Sequence, residues 1–454
     1  MGKKYRFYDQ NQTLILPLNI REWLPKGHLA LFISDVVDEM DLTLIFAYYE
    51  GEERGSPPYD PCMMAKILFY AYCIGVSSSR KIAKKLHEDI GFRYIAAGNF
   101  PDFRTISDFR KIHINTLEEL FVQVLLLCDA AGLVKLGTVS LDGMKVEANA
   151  SLQKTKQYEA LCKEEEQLRK IVRDLFRQAE RIDQEEDRLF GEDKCGDELP
   201  PGFQNKKERL KRIRKAKEQL EKKQQKQYEE YQKNLKKREE MEKTRGKKLR
   251  GRKPYPVSKA PDEELKANTT DPDSRVMKTR KGFIQGYNGQ AMVDADSQII
   301  VAGDLVQDEN DRHQQIPMME KLKKYLGRIP EKLTMDAGYW DEQRLKQLEE
   351  YIDLYVATEK DWKEREKLRN CLPPRGRIPK NMGYKERMER KLRTKRGKEI
   401  YKKRCSSVEP VFGQIKNRGL GRLLLKGLEK SKGEWLLICL SHNLLKLWKA
   451  KTTN

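Results

Sequence analysis

No apolar run in this chain reaches the 18 residues that a membrane-spanning helix requires, so a helical span is not expected. The opening Met-Gly-Lys-Lys-Tyr-Arg has no apolar stretch behind it, which argues against export. The eight cysteines, at 62, 73, 128, 162, 195, 371, 405 and 439, include no Cys-x-x-Cys pair. Neither a zinc site nor a disulfide framework is indicated, and the reduced thiols of a cytoplasmic protein are the expectation. Gly286-Tyr287-Asn288-Gly289 is not followed by Gly-Lys-Ser/Thr. It is therefore no phosphate loop, and neither ATP nor a dinucleotide is expected.

Positive charge is what the chain has in excess. Lys and Arg number 91 against 70 Asp and Glu, a net +21 with an isoelectric point near 9.4. Such a surplus points to a polyanionic partner, most simply nucleic acid, with a solvated basic surface as the alternative. The 454 residues suffice for two or three domains, each with its own core.

Residues 1–130 read as an all-helical N-terminal domain. Pro61 opens an apolar helix over 62–73, with proline suited to the first turn. Ser77-Ser78-Ser79 offers an N-cap for a helix in which Ile82, Ala83 and Leu86 face inward and Arg80 and Lys81 outward. Arg104 to Lys111 begins another helix with basic ends, including Arg110, and Leu120 to Leu127 should be core. Short helices with basic outer faces suit a DNA-binding module, with Arg80, Lys81, Arg104 and Arg110 as the contacts.

A second unit, 131–454, reads as mixed α/β. Strands are expected at Gly137–Ala148, Phe283–Asp296, Gln298–Gln307, Lys332–Asp336 and Leu354–Ala357, with helices at about 314–326 and 341–350. Three antiparallel strands followed by alternating helix and strand describe a mixed sheet with helices on its faces. Residues 361–400 read as a loop or weak helix, and Trp435–Trp448 as a buried helix.

A charged insertion, 153–278, interrupts this unit after its first strand. Leu161, Leu168, Leu175, Ile182 and Leu189 fall seven apart, with Val172 and Ala179 between them, a coiled-coil stripe. A turn over Phe190–Gln204 and a weaker stripe of Leu210, Ile213, Leu220, Tyr231 and Leu235 complete a helical hairpin. Residues 201–253 hold 22 Lys and Arg against 8 Glu, most of the surplus charge. This stretch is either an arm along DNA phosphates or a solvated charged hairpin.

Three acidic residues stand in apolar surroundings: Asp142 in Val-Ser-Leu-Asp-Gly, Asp336 in Leu-Thr-Met-Asp-Ala-Gly-Tyr and Glu409 in Ser-Val-Glu-Pro-Val-Phe. Burying a carboxylate is costly without a positive partner, and three that converge could hold divalent cations. Read singly, Asp142 is a turn residue, Asp336 a helix N-cap and Glu409 a surface glutamate. His313 suits a capping or surface position and His442 a satisfied core position.

Together the motifs resemble the DDE transposases of bacterial insertion sequences. These motifs are Leu-Asp-Gly (141–143), Gly-Tyr-Asn-Gly-Gln (286–290), Asp-Ala-Gly-Tyr (336–339) and Tyr-Lys-Lys-Arg-x4-Glu-Pro-Val-Phe-Gly-Gln-Ile-Lys (401–416). Pro-x3-Pro (57–61), Ser-Ser-Arg (78–80) and Pro-Asp-Phe-Arg-Thr-Ile-Ser-Asp-Phe-Arg (101–110) resemble the N-terminal domain of the same transposases. The resemblance covers most of the chain outside the insertion. It implies a ribonuclease-H-like fold for the mixed sheet, with Asp142, Asp336 and Glu409 as a catalytic triad holding two Mg²⁺ ions, for which Mn²⁺ can substitute. It also implies cleavage at the element's inverted ends, transfer of the 3′-hydroxyl into target DNA, and a homodimer that pairs two ends. The remaining readings are a related nuclease without strand transfer and a domesticated DNA-binding protein.

The same resemblance makes Tyr401, Arg404 and Lys416 DNA-backbone contacts. Lys416, seven residues after Glu409, shares its helical face. Arg404 lies five residues before Glu409, where the family's commonest spacing is four, so an unbroken helix would turn it away. Pro410 is expected to kink or restart the helix and reset that phase.

Overall fold

The computed structural model describes residues 19–49, 57–190, 203–247, 254–359 and 381–453, with scattered positions between 361 and 379. Two compact units emerge, Met1–Val134 with Leu437–Asn454, and Lys135–Leu436. No helix among the described residues is long and apolar enough to cross a membrane.

The first unit is helical: α1 (Leu29–Asp38), α2 (Pro61–Cys73), α3 (Ser79–Glu88), α4 (Ile90–Ile95), α5 (Phe103–Ile112) and α6 (Leu117–Ala130). Short acidic caps set several starts. Asp60 accepts from the Met63 N–H at 2.9 Å ahead of Pro61, and Asp102 accepts from the Thr105 N–H at 2.7 Å. In α2 the side chains of Met64, Ile67, Leu68, Phe69 and Tyr72 are buried. In α6 the core is Leu120, Phe121, Val124, Leu125 and Cys128, whereas Leu126 is 47% exposed. The helical period turns that one position outward, so the apolar run is not core throughout. The C-terminal helix, Leu428–Thr453, adds buried Leu437, Ile438, Leu440, Leu444 and Leu447 to this unit.

The second unit is built on a mixed sheet around β1 (Thr138–Glu147). Two short strands, β2 (Thr155–Gln157) and β3 (Lys266–Asn268), pair with each other outside that sheet. Within it, β4 (Arg275–Thr279) and β6 (Ile300–Val306) both pair antiparallel with the long β5 (Gly282–Asp294). β5 pairs antiparallel with β1, while β7 (Lys332–Met335) and β8 (Asp353–Val356) follow in parallel, giving the order β4-β5-β1-β7-β8 with β6 beside β5. The turn between β5 and β6 is held by Asp294, whose carboxylate accepts from the N–H groups of Asp296 and Ser297 at 3.0 and 3.3 Å. Three of these strands, β2, β3 and β4, fall in the segment expected to be only a helical hairpin. They are short and charged, so no alternation of apolar residues marks them, although Ala267 and Met277 are buried.

The insertion itself holds α7 (Tyr158–Phe190) and α8 (Phe203–Arg245). Tyr158 donates to Glu221 at 2.7 Å, and Glu165 pairs with Lys217 at 2.9 Å and Arg214 at 3.2 Å, so the helices run antiparallel. Leu161, Leu168, Leu210, Ile213, Ala216 and Leu220 are the buried seam, with Val172 packed against it. The side chains of Ala179, Ile182 and Leu189, the turn at 191–202 and residues 248–253 lie outside the described residues. Tyr231 and Leu235 are only half-buried.

Helices α9 (Gln315–Leu326), α10 (Glu342–Glu349), α11 (Tyr384–Arg393) and α12 (Lys395–Asn417) complete the unit. The second half of the charged stretch 361–400 is thus helical. Pro410 stands inside α12 without ending it. Its missing N–H leaves the Ser406 carbonyl without a helical donor, and Gln298 Nε2 supplies one at 2.8 Å.

Gly286 faces Glu147 across the β1–β5 ladder, and a Cβ there would stand 2.3 Å from the Val146 carbonyl oxygen. Backbone cannot yield as a flexible side chain can. Gly286→Ala is expected to cost about 1–3 kcal/mol, read as a lower urea midpoint; an unchanged midpoint would contradict the tight ladder.

Candidate active site

The sheet register brings two of the acidic residues together. Parallel pairing of β1 with β7 ends at Leu141 opposite Met335, and the next residues are Asp142 and Asp336. The two carboxylates therefore leave neighbouring strands where the pairing stops.

Alternation along β1 turns Ser140 and Asp142 toward α12. Ser140 Oγ shares a 2.8 Å hydrogen bond with Ser407 Oγ and accepts another, also 2.8 Å, from Thr334. Two residues on, Asp142 Oδ2 accepts from Arg404 Nη2 at 2.6 Å, and Arg404 Nη1 donates to Glu409 Oε1 at 3.3 Å. Arg404 thus reaches both carboxylates from an unbroken helix, against the expectation that its spacing turns it away. Five residues are about 140° around a helix, and the long guanidinium side chain covers the difference. Among the described residues, Glu409 joins the group only through this arginine; its side chain is 52% exposed, against 15% for Asp142.

Asp336 is the N-cap that its local reading expects, whereas Asp142 stands within β1, paired with Ala291, and is not a turn residue. Asp142 Oδ1 accepts from its neighbour's Gly143 N–H at 2.9 Å, and Asp336 Oδ1 accepts from Gly338 N–H at 2.7 Å, capping a 3₁₀ turn over Ala337–Tyr339. These bonds use one oxygen of each carboxylate.

Burial pushes the Asp142 carboxyl up to about 7; Arg404 pulls it down, while Asp336 and Asp311 push it further up. Burial also lowers Lys145, against the pull of Asp311, Glu309, Asp142 and Asp336. Arg404 is raised although burial opposes it, because Asp142, Tyr401, Asp336 and Glu409 surround it.

Among the described residues, no three His, Cys, Asp or Glu side chains stand close enough, as arranged, to hold a metal ion. Arg404 takes the place between Asp142 and Glu409. The donor set is nonetheless that of a hard divalent cation, with carboxylate oxygens and the buried Asn288 Oδ1, which has no hydrogen-bond partner.

The other expected contacts are more dispersed. Tyr401 is half-buried and lines a cavity of about 460 Å³ with Ala357, Thr358, Leu392, Arg393 and Lys402. Lys416 is exposed near the end of α12. In the helical unit Arg80, Lys81 and Arg104 are exposed, and Arg80 and Arg104 lie 5.1 and 5.8 Å from the Phe103 ring. Arg110 departs from the expected outward face: it is buried and donates to Tyr72 Oη at 2.9 Å and the Ser77 carbonyl at 2.8 Å. Its charge is spent on tying α5 to α2 and the turn before α3. His313 is exposed and His442 buried.

Sequence reasoning missed Asp311, Lys145 and the side-chain roles of Asn288 and Gln290. Asp311 Oδ1 accepts from Asn288 Nδ2 at 2.6 Å and Gln290 Nε2 at 2.7 Å, and lies 3.8 Å from Lys145 Nζ. Asn288 and Gln290 belong to the Gly-Tyr-Asn-Gly-Gln motif and alternate along β5, a signal that one face of the strand carries them. Asp311 sits in the charged run Asp308-Glu-Asn-Asp-Arg, which no apolar neighbour distinguishes.

Residues 18–112 match the family described as Transposase domain (DUF772), and residues 258–444 match the Transposase DDE domain. The chain belongs to the DDE transposases. No curated protein and no solved structure matches it. The DDE match holds Asp336, Arg404 and Glu409, whereas Asp142 precedes it in the chain.

For this transposase the Asp142 shift sets a pH dependence. A carboxyl raised on folding binds more protons in the folded state, so its contribution is present at low pH and lost as pH rises from 3.8 toward 7. Without divalent ions, wild-type stability should fall across that window more steeply than that of Asp142→Asn in urea titrations at several pH values. Parallel profiles would contradict the raised Asp142 carboxyl.

Proposed function

We propose that the transposase cuts the ends of its own insertion sequence and joins the freed 3′-hydroxyls to target DNA, both reactions at Asp142, Asp336 and Glu409. The observation that carries this reading is the register of β1 and β7, which sets two carboxylates side by side under an α12 that brings Glu409 through Arg404. The strand order β6-β5-β1-β7-β8, with the first three antiparallel and the last two parallel, supports a ribonuclease-H-like sheet.

Two Mg²⁺ ions, replaceable by Mn²⁺, would be held by these three carboxylates and would activate the attacking oxygen and stabilise the leaving one. The chain's own residues do the rest. The strand ends fix Asp142 and Asp336 on rigid backbone, and burial keeps bulk water from Asp142. Arg404 neutralises Asp142 and Glu409 in the resting site and offers the same guanidinium to a DNA phosphate. Tyr401 and Lys416 extend that contact along α12. Arg80, Lys81 and Arg104 form a basic patch on the helical unit that suits an inverted repeat, and a homodimer would pair two such ends. The exposed cations of α8 suit the phosphates of flanking DNA, consistent with a nucleoid-associated protein.

Plasmid nicking in Mg²⁺ should occur with wild type and fall by at least two orders of magnitude with Asp142→Ala or Asp336→Ala. Equal cleavage by all three would contradict the site, and nicking without joining of a 3′-hydroxyl oligonucleotide to target would leave a nuclease. Replacing the Lys and Arg of 222–247 with Gln should flatten the salt dependence of DNA binding by roughly 0.9 log units per lost phosphate contact; an unchanged slope would place that helix off the DNA.

A further inference from the structure

We propose that Asp311 is a fourth acidic ligand of this site, a carboxylate held by Asn288 and Gln290 that takes a divalent cation together with Asp336. The inference rests on the metal-dependent reading above and deepens it.

Asp311 is anchored on one oxygen and open on the other. Oδ1 accepts from both Asn288 Nδ2 and Gln290 Nε2 and is the oxygen nearest Lys145, whereas Oδ2 has no hydrogen bond or ion pair among the described residues. Oδ2 and Asp336 Oδ1 both lie within 3.3 Å of the point that a Cβ on Gly338 would occupy. Two carboxylate oxygens from distant parts of the chain thus flank one small volume, kept clear by glycine. Gly143 does the same on the β1 side: a Cβ there would meet Asp311 Oδ1 and Gln290 Nε2 at 2.6 Å and Asn288 Oδ1 at 2.8 Å. The glycines of Leu-Asp-Gly and Asp-Ala-Gly therefore both make room for Asp311.

The second observation is the Asn288 amide oxygen. Asn288 is fully buried, and its Nδ2 is committed to two acceptors, Asp311 Oδ1 and the Asp308 carbonyl at 3.2 Å, which fixes the orientation of the amide. Its Oδ1 is left without a partner beside Asp311. A buried acceptor with no donor is costly unless a cation, or water bound to one, completes it.

Charge balance points the same way. Asp142, Asp336, Asp311 and Glu409 share two neighbouring cations, Arg404 and Lys145, and Lys145 also donates to the Glu309 carbonyl at 2.7 Å. The side chain of Asp311 is not a helix cap either, since the N-cap of α9 is Gln314 and no side-chain cap bond is made there. Gln290 is itself pinned: its Oε1 accepts from the Tyr339 hydroxyl, and its backbone carbonyl accepts from Trp435 Nε1 at 3.2 Å. Asn288 and Gln290 are positioning residues in this account, acting through Asp311.

The test is Mn²⁺ binding to the full-length chain without DNA, by calorimetry and electron paramagnetic resonance, for wild type, Asp142→Asn, Asp336→Asn, Asp311→Asn and Gly338→Ala. Asp311→Asn keeps an acceptor for both amides and removes the charge. It should weaken Mn²⁺ about tenfold or more, or remove one bound ion, with its unfolding midpoint in EDTA maintained. Gly338→Ala keeps the Asp311 anchors and crowds Asp311 Oδ2 and Asp336 Oδ1, so it should weaken Mn²⁺ as well and carries the test if Asp311→Asn does not fold. Wild-type affinity and stoichiometry in Asp311→Asn, or a lower midpoint as its sole defect, would overturn the inference, as would wild-type binding by Gly338→Ala where that variant carries the test. If Asp142→Asn and Asp336→Asn lose Mn²⁺ while Asp311→Asn does not, this inference alone fails; if none of the variants differs from wild type, the metal reading of the site fails with it.

Discussion

The ion pair between Asp142 and Arg404 is the contact on which the second unit's arrangement turns. It joins the central strand to a helix 262 residues later in the chain, and both side chains are largely buried. Removing one member of such a pair leaves an uncompensated charge and typically costs about 3–5 kcal/mol. The pair therefore fixes where α12 sits on the sheet, and with it the place of Glu409. The buried hydroxyls of Ser140, Thr334 and Ser407 lie one step along β1 and hold the same interface without charge. The pair stabilises little on balance, because desolvation offsets most of its attraction. What it supplies is position: an acidic group kept on the central strand where apolar residues would pack more favourably.

A surplus of negative charge around one arginine and one lysine gives the site its chemical bias. Asp142 is pushed up by burial and by its acidic neighbours, so the resting state is strained toward accepting a proton or a cation. The strand ends, the capped turn at Asp336 and the glycines at 143 and 338 keep these oxygens close without letting side chains fill the space. The two family matches leave the helical hairpin out, since they cover 18–112 and 258–444. That hairpin has its own seam of leucine, isoleucine and alanine and carries much of the chain's positive charge on its outer faces. The proposed site and much of the positive charge thus lie on separate parts of the chain.

Much of the mixed sheet was legible because its strands are apolar runs with turn residues between them, and Asp142 and Asp336 stood out as charges inside such runs. The convergence of β1 and β7 was legible only as a resemblance, since parallel register is set by contacts far apart in sequence. The short strands at 155–157, 266–268 and 275–279 were hidden by their charged composition. Arg110 misled because amphipathic spacing cannot tell a solvated arginine from one satisfied by a tyrosine hydroxyl and a carbonyl. Pro410 misled in the other direction. The sequence suggests a break, but Gln298 replaces the lost donor and the helix continues. Asp311 was invisible for a simpler reason: it lies in a loop while its partners lie on β5, and a charged loop looks alike whether or not it folds over a site.

The most direct measurement is anomalous diffraction from crystals of the full-length protein grown with Mn²⁺. The account predicts an anomalous peak between the carboxylates of Asp142 and Asp336, with the Arg404 guanidinium turned away from Asp142. A saturating Mn²⁺ concentration that leaves Arg404 bonded to Asp142, with no peak there, would contradict it.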